Sequence, residues 1–195
     1  HWKDHVGPNY QVNEDWRPSI RISWEEAMKY CQMLSEKTGL KVTLPTEAQW
    51  EWAARAGNEG DFWWGDSNTD FSPYENLADW NLRLMVVQGV DPQPMNPNSP
   101  IFKYWNFIPK DESVNDGEML IRKGGQYAAN PWGLYDVHGN VSEWTRSDFR
   151  PYPYDAKADS TNVSNAEKAV HAGYFYSRTQ NAPSSARRPF LPWHP

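Results

Sequence analysis

Frequent proline and glycine residues limit the folds that are open to this chain. Sixteen Pro and twelve Gly residues are spread over 195 positions. Proline lacks a backbone donor and glycine favours turns, so long helices are not expected beyond the first third of the chain. Aromatic residues make up 15% of the sequence and include 12 Trp. We therefore expect one loop-rich domain over residues 1–195, with a core built largely from aromatic rings.

Two helices are predicted near the start of the chain. A capping box places Ser or Thr three residues before Glu or Gln, and glycine commonly follows the last helical turn. These signals occur twice: Ser23 and Glu26 with Gly39, and Thr46 and Gln49 with Gly57. They predict one helix over residues 23–38 and a second between Thr46 and Gly57.

The rest of the chain has only short strand patterns. Strands are predicted at residues 20–22, 41–44, 134–135, 141–144 and 169–176. Residues 81–115 contain five Pro and are interpreted as a long insertion.

Cysteine usage and charge exclude several classes of function. The single cysteine, Cys31, rules out an internal disulfide and a cysteine-based zinc site. It falls on the apolar stripe of the first predicted helix, which indicates a buried structural thiol; a reactive thiol is the alternative.

The net charge of −6 without a basic stripe argues against a nucleic-acid partner. No run of 18 apolar residues occurs, so no transmembrane segment is predicted.

Four sequence blocks follow one another in a characteristic order. They are ISWEEAMKYC (22–31), LPTEAQWEWAARAG (44–57), NLAD (76–79) with Asp116-Gly117 downstream, and NPWGLYDVHGNVSEW (130–144). Together they resemble the formylglycine-generating enzyme (sulfatase-modifying factor) family, from about residue 20 to the end of the chain. The resemblance implies an α+β fold of the C-type-lectin-like kind, in which two early helices pack on small twisted sheets within ordered loop.

The ends of the chain differ from the family pattern. Family members normally carry a segment before the Ser-Trp-Glu helix and a closing strand with an Asn-x-Gly-Phe-Arg pattern. Here only about twenty residues precede that helix and the closing pattern is absent after Trp193, so we expect the natural protein to extend beyond both ends.

The fourth block contains several carboxylate and amide side chains close together in the sequence. Calcium takes six to eight oxygen ligands and mixes carboxylates with backbone carbonyls. The resemblance implies one structural calcium ion held by Asp136, Gly139, Val141 and Glu143. It implies a second ion held by Asn76, Leu77, Asp116 and Glu118. The alternative is that Asn76, Asp136 and Glu143 only cap turns and satisfy loop backbone.

This sequence lacks the reactive groups for the family's best-known chemistry. Its members oxidise a sulfatase cysteine to formylglycine with two cysteines that bind copper, and soft thiolates select Cu(I). The matching stretch, residues 170–181, has no cysteine, and Ala172 and Tyr174 replace the family's Gly and Ser. We therefore expect neither copper nor this oxidation, and we leave open whether the chain is an enzyme.

The same stretch implies a groove for a ligand. Its candidate residues are His171, Tyr174, Arg178, Arg187 and Arg188. His171 occupies the family's active-groove position, and a structural role is the alternative for it. Arg187 and Arg188 are either a small anion site or partners of carboxylates near the core.

Three hypotheses for function follow from these patterns. The preferred one is a calcium-stabilised binding or scaffold module of the bacterial cell envelope or surface, outside the cytoplasm. Its ligand would be a protein, a peptide or a glycan, and the sequence does not indicate an oligomeric state. The second is a metal-dependent oxidoreductase with altered chemistry near His171 and Tyr174. The third is an inactive partner of a true formylglycine-generating enzyme.

Overall fold

A computed structural model describes residues 14–88, 91–94, 110–153 and 165–194. In this part of the chain the helices are α1 (Trp24–Thr38) and α2 (Glu47–Arg55). The strands are β1 (Met85–Gln88), β2 (Asp91–Pro94), β3 (Glu143–Asp148), β4 (Lys168–His171) and β5 (Arg187–Phe190). Within the predicted insertion, residues 89–90 and 95–109 lie outside the described residues.

Both helices begin where the capping signals predict. Ser23 Oγ accepts a hydrogen bond from Glu26 N at 3.2 Å, and Glu26 Oε2 accepts one from Ser23 N at 2.9 Å. Thr46 and Gln49 form the same reciprocal box at the start of α2. Gly39 ends α1 with a left-handed φ of 70°. The backbone therefore follows the local signals closely in this region.

The end of α2 is less expected, because an alanine closes it. Ala56 has a left-handed φ of 46°, and its N–H donates to the Trp52 carbonyl at 3.2 Å. The predicted stop, Gly57, follows with a φ of 88°. The chain thus leaves this helix through two consecutive residues with left-handed backbone conformations.

A three-stranded antiparallel sheet supports both helices. Its strand order is β3-β4-β5, and all four residues of the central β4 are buried. Trp24 on α1 donates its indole N–H to the Thr145 carbonyl of β3 at 2.9 Å. Glu47 N, at the start of α2, donates to Ser147 Oγ at 2.8 Å. The first two strands form a separate antiparallel pair.

Three of the short strand predictions are wrong. Residues 20–22, 41–44 and 134–135 contain no strand. Arg21 has a φ of 55°, which breaks the extended backbone. The Ser35 hydroxyl of α1 binds both the N–H and the carbonyl of Val42, at 2.9 and 3.1 Å, so this segment is held by a helix side chain.

The two later strands form with shifted boundaries. The strand predicted at residues 141–144 begins at Glu143 and runs to Asp148. The strand predicted at residues 169–176 ends at His171, because Ala172 has a φ of 65° that an extended strand does not accommodate.

Irregular chain supplies much of the core. Three clusters of buried apolar side chains contain Phe62, Phe71, Leu77, Val114 and Ala182; Trp50, Ala54, Val137 and Ala172; and Ala78, Leu82 and Leu120. Half-buried Trp64 and Trp63 pack against the first and second clusters. Across the described residues, no helix combines the length and apolarity needed to cross a bilayer.

Candidate functional site

A buried turn that begins at Asp136 docks against the segment around Asn76. Asp136 and Asn140 have left-handed φ values of 57° and 63°. Asn140 N donates to the Asn76 carbonyl at 2.8 Å, and Val141 N donates to the Gly139 carbonyl at 2.7 Å. A Cβ at Gly139 would lie 2.5 Å from the Asn76 carbonyl oxygen. Only glycine fits there, so the close approach of the two segments depends on it.

The two carboxylates predicted for the first calcium ion are both in this region. Asp136 Oδ2 accepts a hydrogen bond from Gly125 N at 2.7 Å, whereas its Oδ1 is buried and has no hydrogen-bond partner among the described residues. Glu143 Oε2 accepts one from Trp50 Nε1 at 2.5 Å. Burial raises the pKa of both carboxyls, and the charge of Asp136 raises that of Glu143 further. A nearby cation would favour their charged forms.

Glu75 is a third carboxylate here, and the sequence analysis did not identify it. Its side chain is fully buried, and Oε1 accepts a hydrogen bond from His138 N at 3.0 Å. Burial raises its pKa well above the usual value, and the charges of Asp136 and Glu143 add to that shift in pKa. Oε2 has no hydrogen-bond partner in the described part of the chain. The only sequence signal was its position directly before Asn76.

The structure also brings together the residues predicted for the second ion. Asp116 Oδ1 accepts from Glu118 N at 2.8 Å, and Oδ2 accepts from Leu77 N at 3.1 Å. Asn76 Oδ1 is buried without a hydrogen-bond partner among the described residues. Asp79 Oδ2, which sequence reasoning missed, accepts from Asp116 N at 2.7 Å. Burial and the charge of Asp79 raise the pKa of Asp116 to about 8.

Asn140 joins the two regions. Its Oδ1 accepts hydrogen bonds from Arg122 N at 2.8 Å and from Asn76 Nδ2 at 3.2 Å. Its Nδ2 donates to the Arg122 carbonyl at 3.0 Å. The side chain is fully buried, so it acts as a polar link between the Asp136 turn and the Asn76 segment.

His171 lies beneath the predicted groove and does not line it. The residue is fully buried on β4, and its Nε2 lies 3.1 Å from Glu47 Oε1. The Trp50 ring centroid is 4.5 Å from that of the imidazole. The position therefore suits a structural role, which was one of the two interpretations from sequence.

The other four predicted groove residues do line a common cavity. Its volume is about 520 Å³. Its walls are formed by Tyr174, Tyr176, Ser177, Arg178, Gln180, Asn181, Pro183, Ala186, Arg187 and Arg188. Sequence reasoning missed Tyr176, Gln180 and Asn181, although they occupy the same stretch as Tyr174. The cavity has the size of a small-molecule site.

The two neighbouring arginines differ in their partners. Arg187 forms an ion pair with Glu47 and donates to the Arg150 carbonyl at 2.6 Å. Arg188 donates to two neutral groups, Ser142 Oγ at 2.8 Å and the Ala172 carbonyl at 2.9 Å. Each of the two interpretations from sequence therefore applies to one arginine. Arg187 pairs with a carboxylate near the core, whereas the Arg188 guanidinium, at the cavity, has no carboxylate partner among the described residues.

Clusters of three or more His, Cys, Asp or Glu side chains with metal-site geometry do not occur within the described ranges. The first predicted calcium site includes only two such side chains, and the second includes only one. Amide and backbone oxygens would complete both sites. Glu75, Asp136 and Glu143 thus lie in one region of the described chain without converging on a single metal-binding point.

Comparisons with known proteins give a consistent result. Residues 1–193 match the family described as sulfatase-modifying factor enzyme 1-like domain. The chain is 28% identical over 191 residues to inactive C-alpha-formylglycine-generating enzyme 2 of Mus musculus, covering 95% of this chain and 51% of that protein. It is 27% identical over 146 residues to the formylglycine-generating enzyme of Thermomonospora curvata, covering 74% of this chain and 38% of that protein. The chain thus spans about half the length, or less, of these relatives.

A solved structure shows the same fold. PvdO from Pseudomonas aeruginosa superposes with a TM-score of 0.63 at 19% identity, covering 96% of this chain and 60% of that one. The predicted α+β fold of the C-type-lectin-like kind, with two early helices and a small antiparallel sheet, is confirmed.

Proposed function

Because this chain belongs to the family of sulfatase-modifying factor enzyme 1-like domains, we propose that it is a divergent, non-oxidising member that works as a calcium-stabilised binding module. The observation that carries the proposal is the composition of the groove, which presents tyrosine, arginine and amide side chains and no cysteine. The one cysteine of the chain, Cys31, is buried on α1. Copper-dependent thiol chemistry needs thiolates that face one ion, and this chain has a single thiol.

Calcium fits the oxygens that lack partners. Asp136 Oδ1 and Asn76 Oδ1 are buried, and neither has a hydrogen-bond partner among the described residues. Carboxylate and amide oxygens are ligands that calcium prefers. We infer that Asp136, Gly139, Val141 and Glu143 hold one ion and that Asn76, Leu77, Asp116 and Glu118 hold a second. Such ions would bind the folded state and stabilise it.

We place the module in the bacterial cell envelope or on the surface, outside the cytoplasm. Calcium sites of extracellular modules bind with dissociation constants of about 10⁻⁴–10⁻³ M, which suits compartments rich in calcium. The ligand of the module would occupy the groove. The oxidoreductase alternative lacks a specific supporting observation, since His171 lies beneath the groove and contacts Glu47.

Metal content and oxidation together test this function. Protein purified without chelator is analysed by elemental mass spectrometry and is then incubated with Cu(I), oxygen and a cysteine-containing sulfatase peptide. We expect one or two equivalents of calcium, no bound copper and no formylglycine, while a true formylglycine-generating enzyme serves as the positive control. Stoichiometric copper or a formylglycine product would overturn the proposal.

A further inference from the structure

We propose that the groove binds an acidic saccharide, meaning a sugar that carries a carboxylate or a sulfate group. The inference rests on the proposed function, since it names the ligand class of the groove of that module. Three features of the cavity carry it: unpaired positive charge, half-buried tyrosine rings, and side-chain amides at the rim.

Positive charge collects in the groove although the chain as a whole is acidic. Three arginines line the cavity, and no Asp or Glu is found among its described lining residues, whereas the net charge of the chain is −6. Arg188 is bonded only to neutral oxygens, and Arg178 is exposed with no carboxylate partner among the described residues. A guanidinium presents several donors in a plane and binds carboxylate or sulfate through paired hydrogen bonds. These two side chains therefore suit an anionic group.

Aromatic rings form part of the cavity wall beside this charge. The Tyr174 and Tyr176 rings meet edge to face with centroids 4.8 Å apart, and both residues are half-buried. The Arg188 guanidinium lies 5.3 Å from the centroid of Tyr174. A pyranose ring has an apolar C–H face, which packs on an aromatic face, while an acidic substituent reaches the adjacent guanidinium.

Neutral hydrogen-bonding groups complete the rim. Gln180 and Asn181 are exposed at the cavity, and each amide offers both donors and an acceptor. Sugar hydroxyls also donate and accept, so these amides match them in a way that a purely basic pocket does not. The volume of about 520 Å³ lies within the range of small-molecule sites, which is about 300–1,000 Å³. The combination favours a saccharide over an extended acidic peptide.

Arg187 has a positioning role in this arrangement. Its guanidinium is already engaged by Glu47, and it lies 4.3 Å from the ring centroid of Phe149 and 4.3 Å from that of Tyr152. It fixes the start of β5, and Arg188 follows it directly in the chain. Arg178 and Arg188 are thus left to contact the ligand.

Ligand titration by NMR tests the inference, with calcium present throughout. The probes are methyl glucuronide, glucose 6-sulfate, methyl glucoside and a short blocked peptide of Asp and Glu. We expect shifts of groove resonances with the two acidic sugars, and at least about 10-fold weaker binding of the neutral glucoside, because the glucoside lacks the charged acceptor for the guanidinium hydrogen bonds. The same loss is expected for the acidic sugars with Arg178→Gln.

Control variants separate charge in the groove from charge in general. Arg17→Gln removes one positive charge at a half-buried arginine that does not line the cavity and should leave binding within about 2-fold of the wild type. Tyr174→Leu keeps apolar bulk but removes the ring face, and it should weaken the acidic sugars by about 10-fold.

The outcomes distinguish this inference from the proposed function. Equal affinity for glucuronide and glucoside, equal loss in Arg178→Gln and Arg17→Gln, or tighter binding of the acidic peptide would overturn the saccharide assignment. None of these results affects the calcium content or the absence of oxidation. Formylglycine production with normal sugar binding would instead overturn the proposed function alone.

Discussion

At the scale of single residues, Glu47 connects three elements of the fold. Its carboxylate forms an ion pair with Arg187 of β5 and lies 3.1 Å from His171 Nε2 of β4, while the residue itself begins α2. The Glu47 side chain is 1% exposed. A carboxylate so placed compensates a guanidinium whose side chain is only 9% exposed.

Replacement of Glu47 by alanine should therefore strongly destabilise the fold. We expect Glu47→Ala to lower the free energy of unfolding by about 3–5 kcal/mol, because the change removes this carboxylate from a guanidinium that is only 9% exposed. Glu51→Ala on the same helix removes a partly exposed pair with Arg55 and should cost less than about 1 kcal/mol. Urea denaturation of both variants measures the difference. Equal losses would show that the Glu47 ion pair contributes no more to stability than the partly exposed Glu51 pair.

Cys31 gives a second test at this scale. Burial raises the pKa of its thiol, so little thiolate forms near neutral pH. We expect slow reaction with Ellman's reagent in the native protein and complete reaction with one equivalent in urea. Immediate stoichiometric reaction of the folded protein would identify Cys31 as a reactive thiol, the alternative that the sequence left open.

At the scale of elements, the helices were predictable because their signals are local. Each capping box involves residues three positions apart, and the sequence alone contains both partners. The strand predictions at residues 20–22 and 41–44 failed because distant or conformational factors decide them, namely the left-handed Arg21 and the contact of Val42 with Ser35. Glu75 and Asp79 were missed at the candidate sites for the same reason, since their partners are brought in by tertiary packing.

The two helix ends predict unequal responses to exchange of glycine and alanine. Gly39→Ala should cost about 1 kcal/mol, since φ is 70° and the added methyl contacts nothing within 4 Å. Ala56→Gly relieves a similar strain at φ 46°, but it removes a buried methyl worth about 0.8 kcal/mol. We therefore expect the free energy of unfolding of Ala56→Gly, measured by chemical denaturation, to lie within about 0.5 kcal/mol of the wild-type value. A clear loss in Ala56→Gly and none in Gly39→Ala would contradict this account of the helix ends.

At the scale of the whole molecule, stability should depend on calcium. The Asp136 turn and the Asn76 segment both carry buried oxygens without hydrogen-bond partners in the described ranges, and Asn140 links them. Since they belong to distant parts of the sequence, ions held there would restrain loops across the domain. The unfolded chain would not hold those ions in place, so binding would favour the folded state.

Thermal unfolding with calcium and with EDTA measures this dependence. Each ion should add about 2.7 kcal/mol when free calcium is 100-fold above the dissociation constant, and EDTA should lower the melting temperature accordingly. Asp136→Asn should reduce the difference between the two conditions. Asp70→Asn, at an exposed turn carboxylate that binds Ser72 N, is the matched control and should retain it. An identical melting temperature with and without EDTA for the wild type would argue against structural calcium.

The left-handed Ala172 has a consequence for how this domain can evolve. It ends β4, and the residues from Tyr174 onward then form most of the groove before the chain re-enters the sheet at β5. The exposed rim residues Arg178, Gln180 and Asn181 lie outside the strands, and substitutions at such sites usually change stability by no more than about 0.5 kcal/mol. Substitutions at the groove rim can therefore accumulate while the framework stays constant, so that a lineage can change the surface chemistry of the groove without first acquiring a more stable scaffold.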